Sequence, residues 1–456
     1  MKRLLFLFFS LQGWVVNAQN CDCRTNLDSL IQKISTDYAG YRDKVSNSKN
    51  RLAYARMVTQ LRIQSVRSPS RAECFDILAT YINYFQDKHL QIGVYNKEHA
   101  VKIFDPLTES QARQLTQKAP NSSPEGIWWH DEKKLKIAIV KDGKTADAYK
   151  GIVLESADTT YKTGQLFSKI KKNGTFYNVH EFGSYLLSLD PRAKFQGNIF
   201  YNYFPWKRLF PHATTPAEEQ EVATWQNGNK GLACWKLSPN VVCVRIPTFG
   251  MQWSQFETFI KKNDSLIRAT PYLIIDVRNN GGGNFGMELL LPYLYTKPFV
   301  VKGGLMQASI NNNRVFSSDY SSDSTLLRKL RQNIGSYVPQ PDFPVSYEAA
   351  LPNPKKVVIL QNALCGSATE YSIQVVKDFE KVTTMGENTM GMMDYGDLRQ
   401  PTPIPCPDFT FVIPIVKSSW TDTAPIDQTG IAPKIQLKSP ESDWLGEAVK
   451  YLENQK

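Results

Sequence analysis

Ser367 follows the apolar run Val357–Leu360 through a Cys365-Gly366 step. Beyond it Ala368, Tyr371, Ser372, Val375, Val376 and Phe379 fall on one helical face. A strand, a tight glycine turn and a helix put the hydroxyl at the positive end of a helix dipole, beside N–H groups that have no partner inside the helix. Such a hydroxyl can attack an electrophilic carbon while the N–H of Ala368 holds the oxyanion that develops. Ser is also an ordinary N-cap, so the reading needs a second element. Gly281, Gly282 and Gly283 supply one, because three glycines after the buried strand pattern Tyr272–Val277 let the backbone come close to a ligand. The N–H of Gly282 or Gly283 would then be the second oxyanion donor. The spacings of phosphate-binding Walker and Rossmann loops are missing here.

The elements that must position these residues form three parts. Residues 1–18 read as a signal peptide. Residues 19–120 carry helical periodicity, seen in Leu27, Leu30, Ile31, Ile34, Tyr38 and Tyr41 and again from Ala72 to Tyr84. His89 lies where the second helical segment gives way to the alternating Leu90–Val94. Residues 121–238, entered through the turn cluster Asn121-Ser122-Ser123-Pro124, contain short strand patterns split by polar turns and predict a small β-rich domain. From 239 to 456 strands and helices alternate and end in a helix, which predicts crossover units and a mainly parallel sheet. Ligands bind such sheets where strands end and helix N-termini converge, and both Gly281–Gly283 and Ser367 lie at such ends. The Gly-x-Ala pattern of a PDZ module is missing from the middle part.

Lys2 and Arg3, the apolar run Leu4–Val16 and the small-residue step Val16-Asn17-Ala18 predict export with cleavage after Ala18. No later stretch approaches the roughly 18–20 apolar residues of a membrane span. The net charge is +11, but no Lys/Arg run interleaves with aromatics, and export argues against a nucleic-acid partner. Seven cysteines in an exported chain permit disulfides. Cys21 and Cys23 could pin the mature N-terminus, and Cys234 with Cys243 looks the most plausible pair. No Cys or His spacing suits zinc, so no metal site is expected.

Four stretches together carry a resemblance. They are Tyr272-Leu-Ile-Ile-Asp-Val-Arg-Asn-Asn-Gly-Gly-Gly283, Val357–Asn362 with Gly366-Ser-Ala-Thr-Glu370, Gly386-Glu-Asn-Thr-Met-Gly391, and Gly430-Ile-Ala-Pro433. In this order, over roughly residues 240–440, they resemble serine peptidase family 41, which holds the C-terminal-processing peptidases and the tricorn core. The resemblance implies an α/β core of the ClpP/crotonase type, amide hydrolysis through an acyl-enzyme on Ser367, a peptide or protein substrate, and no cofactor.

The chain departs from that family at one position. Members with a Ser-Lys dyad carry Lys directly after the T-x-G turn, where this chain has Met392, and a thioether takes no proton. The base must come from elsewhere. Five histidines are available, at 89, 99, 130, 180 and 212. Asp87-Lys88-His89 is similar to the D-x-H segment of tricorn-like members, which implies His89 as the base. The same resemblance puts Asp427, shortly before Gly430, in the place of the carboxylate that orients the histidine. Glu370 is expected to brace the helix N-terminus, Lys417 is a further candidate base, and Cys365 is a buried small hydrophobe. Two other functions use the same fold: a non-catalytic ligand binder, which Met392 would favour, and an esterase with the same triad. Labelling by a serine-directed phosphonate separates the first from the enzymes, and amide against ester turnover separates the second.

Overall fold

The computed structural model describes residues 21–454 apart from 47, 68–69, 95–102, 144, 174–175, 183–185, 188–192, 203, 229–230 and 438–442. The expected leader, 1–18, lies outside the described residues. The C-terminal part is built on a sheet in the order Ala233–Lys236, Val241–Arg245, Tyr272–Asp276, Lys356–Gln361, Val382–Gly386, Ile435–Gln436. Its first pair is antiparallel and the rest are parallel. The central strands are apolar and buried, as a sheet covered on both faces requires. Phe256, Ile260 and Ile267 of the helix Trp253–Ala269 pack on one face, and Trp444, Ala448 and Leu452 of the helix Trp444–Glu453 on the other. This is the α/β core that the strand–helix alternation predicts.

The N-terminal helices Cys23–Asp37, Tyr41–Val45, Ser48–Arg67 and Arg71–Asn83 do not stand apart. The strand Gln91–Val94 pairs antiparallel with Phe409–Lys417, Gln91 opposite Val412 and Val94 opposite Phe409. One apolar core therefore holds Leu27, Leu30, Phe75 and Phe85 together with Met306, Phe411, Ile413 and Ile415. The disulfide Cys21–Cys406 joins the same parts, and Cys23–Cys74 ties two of the N-terminal helices to each other. The expected Cys234–Cys243 bridge is not formed. Cys234 stands opposite Val244 and Cys243 opposite Trp235 in the antiparallel pair, so the two side chains leave opposite faces of the sheet.

Among the described residues between Gly126 and Phe210, eight strands form one antiparallel sheet, while Leu186–Leu187 pairs with Gln91–Val94. Tyr177 and Ala193 exchange backbone hydrogen bonds of 2.8 and 3.2 Å, which brings the two edges of this sheet together as a barrel. Trp128, Ile137, Phe167, Phe200 and Trp206 fill its interior. The barrel meets the core through Tyr201, Val222 and Trp225, which pack on Leu364, Met390 and Met392. No helix among the described residues is long and apolar enough to cross a membrane.

Candidate active site

Ser367 sits at a strained corner. After the strand Lys356–Gln361, Asn362 Oδ1 accepts the N–H groups of Asn279 (2.9 Å) and Leu364 (3.2 Å), and Gly366 donates to the Asn280 carbonyl (3.1 Å). These bonds lash the serine corner to the glycine loop. Ser367 itself has φ 53° and ψ −125°, a region that non-glycine residues seldom occupy unless their surroundings impose it. The corner lifts the hydroxyl into the cleft just before the helix Ala368–Val376.

Glu370 holds the corner from beneath. Its fully buried carboxylate accepts from Thr389 Oγ1 (2.5 Å) and from the N–H groups of Gly391 (2.6 Å), Met392 (3.0 Å) and Ser367 (3.3 Å). Burial raises its pKa, and the donors act against that rise. Glu370 thus braces the helix N-terminus and clamps the T-x-G turn. Met392 lies in the apolar seam beside Gly366, so the place of the dyad lysine is filled by packing. Cys365 is buried, donates from Sγ to the Val277 carbonyl (3.0 Å) and is pushed up to about 12 by burial.

His89 comes to this corner from the other end of the chain. Its Nε2 lies 2.8 Å from Ser367 Oγ and its Nδ1 2.7 Å from the Tyr395 carbonyl oxygen. A carbonyl can only accept, so Nδ1 carries the proton and Nε2 presents its lone pair to the serine hydroxyl. That is the tautomer a general base needs. Burial pulls the His89 pKa below the ordinary imidazole value, against the charge of Asp87 and the carbonyl, which favour the imidazolium. Of the other histidines, His130 and His180 lie in barrel strands, His212 is exposed beyond them, and His99 falls outside the described residues.

Asp427 does not meet His89, contrary to expectation. Asp394 accepts the N–H groups of Ile426 and Asp427 and folds that turn back on itself. Asp427 then faces Lys44 at 3.3 Å and accepts the Asp394 N–H at 3.2 Å. The Tyr395 carbonyl, which carries no side-chain signal in the sequence, occupies the Nδ1 position instead. Lys417 is tied to Asp43 (2.8 Å) and Asp422 (2.6 Å). Burial opposes its charge, but the two carboxylates win and raise its pKa, which suits a held cation and not a base.

The expected oxyanion donors also divide. The Gly282 N–H donates to Asn280 Oδ1 at 2.9 Å, so it is taken by its own loop. The Gly283 N–H is not used in the bridge to Phe249, which runs through the Gly282 carbonyl and the Asn284 N–H. Together with the N–H of Ala368, the first helical residue, it is the donor left for an oxyanion. Gly282 matters sterically instead. With φ 101°, a Cβ there would stand 2.7 Å from Ser367 Cβ and 2.8 Å from the Ala368 nitrogen. Gly282→Ala should therefore lower kcat/KM by roughly a hundredfold or more; steady-state kinetics on folded protein, checked by circular dichroism, would measure it. Wild-type rates would mean that the loop does not press on the serine.

All of this opens into a cleft of about 680 Å³, in which Ser367, His89 and Gly283 share the lining with Tyr371, Met393 and Trp420. A corner serine, a neutral imidazole and two N–H donors at the wall of one cleft are the parts that acyl-transfer hydrolysis uses. The sequence agrees: the model of Peptidase family S41 matches residues 240–437. In fold the chain is similar to mature CPAF (13% identity, 95% of this chain and 96% of that one covered, TM-score 0.54) and to mature CPAF complexed with lactacystin (14%, 96% and 99%, 0.52). A putative peptidase from Parabacteroides merdae also matches (14%, 96% and 98%, 0.49). At these identities the two CPAF structures establish the fold. Among curated proteins nothing matches this chain.

Proposed function

We propose that the protein is an exported serine endopeptidase that cleaves peptide bonds through an acyl-enzyme on Ser367, with His89 as general base. The observation that carries this reading is the 2.8 Å contact between His89 Nε2 and Ser367 Oγ, with Nδ1 fixed as donor. In the first half-reaction Nε2 takes the hydroxyl proton as Oγ attacks the carbonyl carbon. The N–H groups of Gly283 and Ala368 hold the oxyanion, and the imidazolium returns the proton to the departing amine as the C–N bond breaks. Water, activated by the same imidazole, then releases the acid.

The test is labelling with a serine-directed phosphonate, followed by peptide mapping. Modification of Ser367 with loss of peptide hydrolysis is expected; an unlabelled Ser367 in folded protein would favour the ligand-binding function. Faster turnover of esters with no peptide cleavage would favour the esterase.

Export rests on the leader pattern and on the two disulfides, which persist in oxidising compartments. The mature chain should begin at Gln19, and Cys21, whose sulfur is bonded to Cys406, should carry no lipid. Mass spectrometry of the native protein measures both. A diacylglyceryl mass on Cys21, or a retained Leu4–Val16, would mean a membrane anchor.

A further inference from the structure

We infer that Asp87 is the positioning residue for the base, fixing the turn that presents His89 and supplying the negative charge beside the imidazole. The inference rests on the peptidase reading above and gives Asp87 the charge expected of Asp427, while the Tyr395 carbonyl holds Nδ1.

Asp87 is buried at 6% exposure, two residues before His89, and both of its oxygens are engaged. Oδ1 accepts the backbone N–H of His89 at 2.9 Å, and Oδ2 accepts the hydroxyl of the fully buried Tyr38 at 2.7 Å. The Asp87 carbonyl accepts the Leu90 N–H at 3.2 Å, which closes the turn around His89. Tyr38 is in turn packed edge-on against Phe85 and Tyr395, with ring centroids 5.5 Å apart in each case. Tyr395 is the residue whose carbonyl holds His89 Nδ1. One rigid set of contacts therefore fixes both the backbone and the far nitrogen of the base.

The charges that face His89 come from two elements. On its own segment they are Asp87 and Lys88; from the strand Tyr395–Pro403 there is Asp397. Lys88 is directed to the Gly391 carbonyl at 3.3 Å, and Asp397 accepts from Gln340 at 3.1 Å at the mouth of the cleft. Asp87 is the strongest of the charges that favour the imidazolium. Asp427 is faced by Asp87, Lys44 and Asp394, and burial, joined by the charge of Asp87, pushes it well above the ordinary carboxylate range. Both Asp87 oxygens are met by donors, the surroundings a carboxylate acceptor needs.

The experiment is an NMR titration of labelled histidine in the full mature chain, made in the Ser367→Ala background. In Asp87→Asn the His89 pKa should fall by about one unit, whereas Asp427→Asn should leave it in place within about 0.2 unit. With Ser367 restored, Asp87→Asn should move the rising limb of kcat/KM to lower pH by the same amount. It should lower kcat about tenfold with KM little changed, because a weaker base and a looser turn act on the chemical step. An unmoved His89 titration in Asp87→Asn would overturn the assignment. So would a downward shift of that size in Asp427→Asn, an arm that decides the matter even if Asp87→Asn fails to fold. The titration needs no turnover, so an inert wild-type enzyme would sink the peptidase reading while this assignment stayed measurable.

Discussion

Ser367→Ala should lower kcat/KM for peptide cleavage by at least about three orders of magnitude, the usual scale when a covalent nucleophile is removed. The fold should survive. Ser367 is only partly buried at a strand-to-helix corner, and the lashing of that corner runs through Asn362, Gly366 and Glu370. The backbone adds a second measurable effect. Alanine inherits the φ of 53°, whereas Ser367→Gly relieves it and should be more stable than Ser367→Ala by about 1 kcal/mol in denaturant unfolding. Both variants should be inert. Peptide hydrolysis by Ser367→Ala at the wild-type rate would remove the mechanism, whichever base serves it.

His89→Ala should cost nearly as much, and Ser367→Ala with His89→Ala should be little worse than either alone, since members of one catalytic unit are not additive. The pH dependence follows from burial. Hydrolysis needs the neutral imidazole, which dominates above the His89 pKa, and burial lowers that pKa. The rising limb of kcat/KM should therefore have its midpoint below the unperturbed value of about 6.5. The same shift has a sign for stability. The unfolded chain takes up the His89 proton first as pH falls, so stability should decline as pH drops from about 6.5 through the lowered native value. An active His89→Ala enzyme with an unchanged profile would end the assignment. Lys417 is then a poor replacement, because Asp43 and Asp422 keep it charged.

Much of the α/β core was legible in the sequence because its signals are local. Strand patterns at 241–246, 272–277 and 357–360 alternate with helical faces, and each glycine-rich turn sits where a buried strand ends. Ser367, Ala368 and the glycine loop stand within single turns of the chain, so their neighbourhood could be read from spacing. Met392 could likewise be seen to exclude the lysine of a Ser-Lys dyad. The role of each glycine could not, since that depends on which way an N–H points. Gly282 turns its own to Asn280 and leaves Gly283 to face the cleft.

What the sequence by itself determined is the nucleophile's corner, the layered core and the candidates for the base. What only the tertiary structure decided is which partners those candidates meet. His89 reaches a serine 278 residues away because Gln91–Val94 pairs with Phe409–Lys417 and the N-terminal helices share their core with that sheet. Disulfide pairing followed the same long-range packing, with Cys21 and Cys406 separated by 385 residues, while the face alternation of two adjacent strands kept Cys234 and Cys243 apart. The orienting group for His89 is a backbone carbonyl, and every residue has one. No residue type marks such a partner, so only the register of the folded strands could select Tyr395 and leave Asp427 to Lys44.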